Sequence, residues 1–279
     1  MELNNESGKL TPRLRLGRRV RRLRERKGLS LRQLSEHVGG YSHSYLGRVE
    51  LGDQLPSEAL VSLLDQFFDT DGVLAELLEM AHDSLIPDYS RRFISKEPSA
   101  ERIQVFTSSL IPGLLQTEEY ARELFRRALP SEPEDELNER VAIRMRRQRI
   151  FQREEALPYW AIIDEAALKR PMLFTQHMVE QLRHLLQMAT RPRTVIQILP
   201  FNRGMHAMLG GSMTLMTLGE GGTIALVESF DSGEAVESTK AVVELTERFD
   251  VVRAMASTVD ESLDLIRRYL KEYEDELDS

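Results

Sequence analysis

Four side chains, His43, Ser44, Tyr45 and Arg48, fall on one side of the segment SHSYLGRVELG that runs from Ser42 to Gly52. All four carry hydrogen-bonding groups. Held out from a short helix, such groups can meet base edges in the major groove of duplex DNA, where an arginine most often reads guanine. Ser42 and Arg32 join this candidate DNA-binding set, and Arg18, Arg19 and Arg22 upstream are placed to meet phosphates instead.

A second set could form an effector or partner site. Gln116, Glu119 and Tyr120 follow a turn and stand at a helix start, where backbone amides would welcome an anion, although polar residues beside a turn are often only caps. Asp164, Glu165, Glu228 and His206 sit at strand ends or in a loop and could meet at one edge of a sheet, a place where pockets form. No catalytic residue is assigned, because no nucleophile elbow marks a serine, histidine and acid arrangement. His177, Glu180 and His184 share a helical face without the histidine spacing of a zinc-protease helix, so no metal is expected. The glycines lack the lysine of a phosphate cradle, and no cofactor is expected. With no cysteine in the chain, disulfides, zinc-thiolate sites, iron-sulfur clusters and cysteine nucleophiles are excluded.

The elements that must hold these groups are legible. Ser30 caps a helix on which Leu31, Leu34 and Val38 form an apolar stripe, and Gly39-Gly40 stops it. Ser42 then caps a second helix with Leu46 and Val49 inward, so the pair reads as a helix-turn-helix. Short helix pairs joined by glycine also occur in bundles that never touch nucleic acid. Against that reading, Arg13, Arg15, Arg18, Arg19, Arg21, Arg22, Arg24, Arg26 and Lys27 face only Glu25 in the stretch before it. Residues 1–60 hold twelve Lys/Arg and seven Asp/Glu, a charge of +5. The remainder of a chain of net charge -8 therefore carries -13. A basic head on an acidic body suits a protein that docks on phosphate at one end only.

The pattern R-x-x-x-G-L-S-x-x-x-L-x-x-x-V-G from Arg24 to Gly39, followed by S-x-S-x-L-x-R-x-E-x-G from Ser42 to Gly52, resembles the xenobiotic-response-element (XRE) class of phage-repressor-like DNA-binding domains. The resemblance implies a bundle of about five helices whose third reads bases, commonly as a dimer on a two-fold operator. It also implies that Arg24 and Glu50 pair inside the domain. Beyond Ile86 the segments Leu110 to Arg122, Arg144 to Gln148, Ile163 to Leu168, Gln181-Leu182, Ile196 to Pro200, Gly204 to Ala207 and Glu261-Ser262 resemble the C-terminal domain of a large actinomycete group of XRE regulators. Those proteins are antitoxin-like and often encoded beside a small partner protein, which the resemblance implies as a partner here.

Two domains are expected, a helix-turn-helix domain over 1–82 and a regulatory or sensor domain over 86–279. The fold class is α+β: an all-α bundle, then a mixed domain with about four strands flanked by helices. The four strands are Tyr159 to Ile163, Thr194 to Leu199, Ser212 to Leu218 and Thr223 to Glu228, the last two joined across Gly219 to Gly222 as a hairpin. Thr117 caps one helix. Thr11-Pro12 opens the first, Pro56-Ser57 opens one with Ala59, Leu60, Leu63 and Leu64 inward, and a Thr258 to Glu261 capping box opens the last. Arg140 to Arg153 reads as a basic helix, solvated or between domains, offset by acidic Glu132 to Glu139 through pairs such as Glu136 with Arg140. No apolar run approaches the roughly 18 residues that span a bilayer, and MELNNESGKL has no apolar signal core, so a cytoplasmic protein without membrane contact is expected. The expected function is a homodimeric transcriptional regulator that binds double-stranded DNA and whose C-terminal domain takes an effector or a small partner protein. An antitoxin-like protein that sequesters its partner, and an enzyme with a DNA-binding head, are the alternatives.

Overall fold

The computed structural model describes residues 11–230 and 232–278, so the segment MELNNESGKL, read above as lacking an apolar signal core, lies outside the described residues. The chain divides into two compact units. The first runs to Pro87 and takes in Pro133–Glu139, and the second comprises Asp88–Glu132 and Arg140–Ser279.

The first unit is a helical bundle. α1 (Pro12–Arg26) starts where Thr11 caps the Leu14 amide, with proline at a position whose N–H has no intrahelical partner anyway. α2 (Leu31–Val38) opens with a reciprocal cap: the Gln33 amide donates to Ser30 Oγ, and the Ser30 amide donates to Gln33 Oε1. Gly39 and Gly40, both at positive φ, turn the chain into α3 (His43–Leu51), which ends on Gly52 in the left-handed region. α4 (Glu58–Phe68) and α5 (Val73–Asp83) complete it. The buried Asp65 carboxylate accepts the Leu74 and Ala75 amides at 3.0 Å each and so caps α5 from α4. Leu16, Val20, Leu34, Leu46, Leu60, Leu64, Leu74 and Leu78 form the core. On α4 the expected inward face is rotated: Ala59 and Leu63 are exposed, and the buried stripe is Leu60, Val61, Leu64 and Phe68. The i, i+1, i+4, i+8 spacing makes one continuous band on a helix, and Phe68 extends it by a turn.

The second unit contains α6 (Asp88–Ile94), β1 (Ala100–Thr107), α7 (Glu118–Ala128), the end of α8 (Glu134–Arg147), β2 (Tyr159–Asp164), α9 (Glu165–Lys169), α10 (Thr175–Ala189), β3 (Thr194–Leu199), β4 (Ser212–Leu218), β5 (Thr223–Glu228), β6 (Gly233–Val236), α11 (Thr239–Met255) and α12 (Val259–Leu277). The α+β class stands, with six strands in the order β3-β2-β1-β4-β5-β6 instead of about four. β1, β2 and β3 run parallel, and β4, β5 and β6 continue antiparallel. β1 escapes a sequence reading because Arg102 and Gln104 interrupt its apolar run, yet it pairs on both sides. β6 has only four residues, too few for a pattern.

Strand alternation sends Ile103, Val105, Tyr159, Ala161, Ile163, Ile196 and Ile198 to one face, against α10 and α12. Phe106, Ile162, Met213, Leu215 and Ala225 go to the other, where Val242, Phe249 and Val252 of α11 cover them. The Thr258–Glu261 capping box is present on α12. Among the described residues no helix is long and apolar enough to cross a membrane.

Candidate nucleic-acid interface

α3 is fixed from three directions. Ser42 Oγ accepts the Tyr45 amide at 3.1 Å, which satisfies one of the open amides of the first turn. Leu46 and Val49 are buried in the bundle core. At the far end the Arg24 fork reaches Glu50, with Nε to Oε1 at 2.6 Å and Nη2 to Oε2 at 2.7 Å, while Nη1 donates to the Leu29 carbonyl at 2.8 Å. One guanidinium thus ties α1, the turn after it and α3, and its hydrogen bonds to Glu50 hold it above its ordinary pKa. Where α1 meets α3, Gly17 is required: a Cβ there would lie 2.4 Å from the Val49 carbonyl oxygen. Neither Gly17 nor the Leu29 carbonyl was singled out from the sequence. A glycine on the buried face of α1 was the available signal.

The candidate reading residues do not share one environment. His43, Ser44 and Arg48 are exposed on α3, and Arg32 is exposed on α2. Ser42 is exposed but its hydroxyl is engaged in the cap. Tyr45 is half-buried, stacked on Tyr41 at 5.8 Å between ring centroids with its hydroxyl donating to the Leu55 carbonyl, and burial pushes its phenol up. Its ring braces α3 and is less available to a base than its neighbours. On α1, Arg18 and Arg22 are exposed, with Arg22 Nε resting on the Arg18 carbonyl. Arg19 is half-buried, its Nε shut from solvent.

The candidate effector residues of the second unit separate into three groups. Gln116 and Tyr120 are buried and hold the turn before α7: Gln116 Nε2 donates to the Ile111 carbonyl at 2.8 Å, and Tyr120 Oη accepts the Ile111 amide at 3.2 Å. Glu119 stays in the first turn of α7, 3.8 Å from Arg122. Asp164 caps α9 through the Ala166 amide and also faces His206, whose buried Nε2 is 3.4 Å from Oδ2. Glu165 turns elsewhere, accepting Tyr269 Oη and the Phe201 amide at 2.7 Å each. Glu228 does not join Asp164 and His206. The register puts both strand ends at one edge of the sheet, but β1 and β4 stand between them. Alternation also sends the two carboxylates to opposite faces, Asp164 beside Ile162 and Glu228 in line with Ile224 and Leu226.

Glu228 belongs instead to an ion cluster that the sequence reading missed. Of the two expectations for Arg140 to Arg153, a solvated helix or one between domains, the solvated one is overturned at Arg144 and Arg147, and the helix itself runs over Glu134–Arg147. Arg147 grips the buried Glu97 carboxylate with Nε at 2.8 Å and Nη2 at 2.6 Å. Arg144 lies across Gly113, donates to Gln116 Oε1 at 2.7 Å and covers the Phe125 ring at 5.0 Å. Arg140 pairs with Glu132 at 2.7 Å, and Glu136 with Arg13 at 3.3 Å. Burial and the neighbouring Arg147 charge pull Arg144 down to about 10, so it stays charged at neutral pH. Burial pushes the Glu228 carboxyl above its ordinary value of 4.5, against the pull of Arg147 and Arg144.

A folded-state pKa raised above the unfolded value means that the folded chain binds the proton more tightly. The contribution is therefore full below the unfolded value and falls as pH rises through the folded one. The expected result is that Glu228→Gln, compared with the parent by urea unfolding across the acid range, removes a decline in stability that begins near pH 4.5. Trp160, the single tryptophan, stands in β2 and reports this unit.

His177 and His184 do not form a metal centre with Glu180, and among the described residues no group of three or more metal-ligating side chains gathers. His177 packs on Phe174, and burial lowers His184 below its ordinary pKa.

Residues 15–78, which span the bundle from α1 into α5, match the family described as a helix-turn-helix domain. Residues 90–268 match the domain of unknown function DUF5753, and the chain belongs to that family. No curated protein and no solved structure matches the chain.

Proposed function

We propose that the protein is a sequence-specific transcriptional regulator of the XRE class that binds double-stranded DNA as a homodimer and is controlled through its C-terminal domain. The observation that carries this reading is the combination on one bundle of exposed His43, Ser44 and Arg48 with a rigidly held α3 and an arginine-rich α1. Base contacts specify and phosphate contacts position, so the two kinds of arginine should behave differently. Arg48→Ala is expected to cost roughly 1–3 kcal/mol on the preferred duplex and to relax discrimination at one position per half-site. Arg22→Ala should weaken all duplexes about equally and flatten the salt dependence. Titrating both variants across operator variants checks this, and an even loss for Arg48→Ala would contradict it.

Control by a small partner protein, in the manner of antitoxin-like regulators, is favoured by a specific feature of the second unit. Met205 and Leu209 ride on the loop between β3 and β4, and Phe230 follows β5. The pairing of Ser212 with Glu228 brings these loops to one end of the sheet, and all three apolar side chains are exposed. Exposed apolar groups gathered in this way suit protein docking better than solvent. Native mass spectrometry of the purified protein, looking for a co-purifying small protein or small molecule, separates partner control from effector control.

A further inference from the structure

A cleft of about 360 Å³ lies where α12 meets the carboxyl ends of β2 and β3, within the range of about 300–1,000 Å³ common for small-molecule sites. Open α/β sheets hold ligands beyond the carboxyl ends of parallel strands, and β2 and β3 are such a pair. Leu265, Arg268, Tyr269 and Glu272 line the cleft from α12, where their i, i+3, i+4, i+7 spacing sets them on one face. Pro200 and Phe201, which follow β3, complete the wall. Glu165 fastens the two sides together. One of its oxygens accepts Tyr269 Oη and the other the Phe201 amide, each at 2.7 Å, so that its carboxylate is already engaged. Arg268 and Glu272 are exposed, and among the described residues neither makes an ion pair or a side-chain hydrogen bond. A cation four residues before an anion is the less favourable order for pairing along a helix, which leaves both charges to a ligand. They stand about 6 Å apart along the helix axis. With Phe201 53% exposed, the cleft offers one free cation, one free anion and an aromatic wall within reach of the same small molecule.

We propose that this cleft binds a free α-amino acid with an apolar side chain, its carboxylate on Arg268, its ammonium on Glu272 and its side chain against Phe201. The inference rests on the reading of the C-terminal domain as a controlling module and assigns it a class of effector. Charge-assisted hydrogen bonds to two opposite ions orient a zwitterion, and burial against an aromatic ring supplies contact area.

The test is calorimetric titration of the full chain with L-phenylalanine and L-leucine, alongside L-phenylalaninamide, which lacks the carboxylate, and N-acetyl-L-phenylalanine, which lacks the ammonium. Saturable one-to-one binding of an amino acid is expected, weakened about tenfold for each one-headed analogue and for Arg268→Gln, Glu272→Gln and Phe201→Ser. Arg268→Gln should leave the affinity for the amide unchanged, and Glu272→Gln that for the N-acetyl compound, because the group each would have met is missing. The three altered residues are exposed, and an unchanged Trp160 unfolding transition would show that the variants fold. Absence of saturable binding of both amino acids by the parent, or equal affinity for amino acids, analogues and variants, overturns the site. A parallel gel shift separates the two readings. If an amino acid binds and duplex affinity does not respond, the site stands and its role as the effector site fails. If duplex binding is intact and neither amino acid binds, the cleft proposal alone fails.

Discussion

Replacing Glu50 with alanine is expected to destabilise the first unit by about 3–5 kcal/mol, because Arg24 would lose both carboxylate hydrogen bonds and keep only the half-exposed Glu25, 3.9 Å away, as a counter-ion. The side chains of Arg24 and Glu50 are only 12% and 5% exposed, and both oxygens of the carboxylate are engaged. Arg24→Ala should cost a similar amount, since it strands the carboxylate and also removes the donor to Leu29. The double replacement Arg24→Met/Glu50→Leu should lose much less than the sum, because no charge is left desolvated. Thermal unfolding followed by far-ultraviolet circular dichroism measures all three. The fluorescence transition of Trp160, which lies in the other unit, should not move with them. Additive losses around the cycle would mean that the pair does not hold α3 to α1.

Arg147→Ala is expected to be as damaging to the second unit, about 3–5 kcal/mol, by the same physics. Burial works against the Arg147 guanidinium, but the Glu97 carboxylate outweighs it and holds the group above its ordinary pKa. Glu97 is 6% exposed and opens the turn that leads directly into β1. Arg153 fastens the same turn, donating to the carbonyls of Glu97 and Ala100. Removing Arg147 therefore takes away both side-chain hydrogen bonds that the buried Glu97 carboxylate accepts, at the turn that enters the strand pairing on both sides. Urea unfolding read at Trp160 should shift strongly, and Glu97→Leu added to Arg147→Met should recover most of the loss. A surface arginine would shift it by less than about 1 kcal/mol, and that smaller result would return the end of α8 to solvent.

Several segments of the second unit that the sequence marked prove to be architecture. Gln181 takes the Thr117 amide at 2.7 Å and donates to the Leu115 carbonyl at 2.8 Å, locking α10 to the turn before α7. Gln197 on β3 receives Trp160 Nε1 at 2.8 Å and donates to the Ser257 carbonyl at 2.7 Å. Ser262 Oγ accepts the Ile198 amide at 2.9 Å, which ties α12 to β3. Each is a buried polar group placed where a backbone group would otherwise go unpaired.

The starts of α1 to α4, the hairpin, the inward residues of α3 and the capping box of α12 followed from the sequence alone, whereas the helix expected over Arg140 to Arg153 is shifted to Glu134–Arg147. Caps, turns and periodic apolar stripes are local, and a few neighbouring residues suffice to specify them. The destination of charge was different. A run such as Arg140 to Arg153 reads the same whether its guanidinium groups meet water or carboxylates, and only packing brought Glu97, fifty positions away, against Arg147. Likewise, alternation within a strand is visible in one segment, but which face a neighbouring strand presents depends on pairing. Tertiary structure therefore decided that Asp164 meets His206, that Glu228 joins the arginines on the opposite face, and that Tyr45 braces the helix from which His43, Ser44 and Arg48 project.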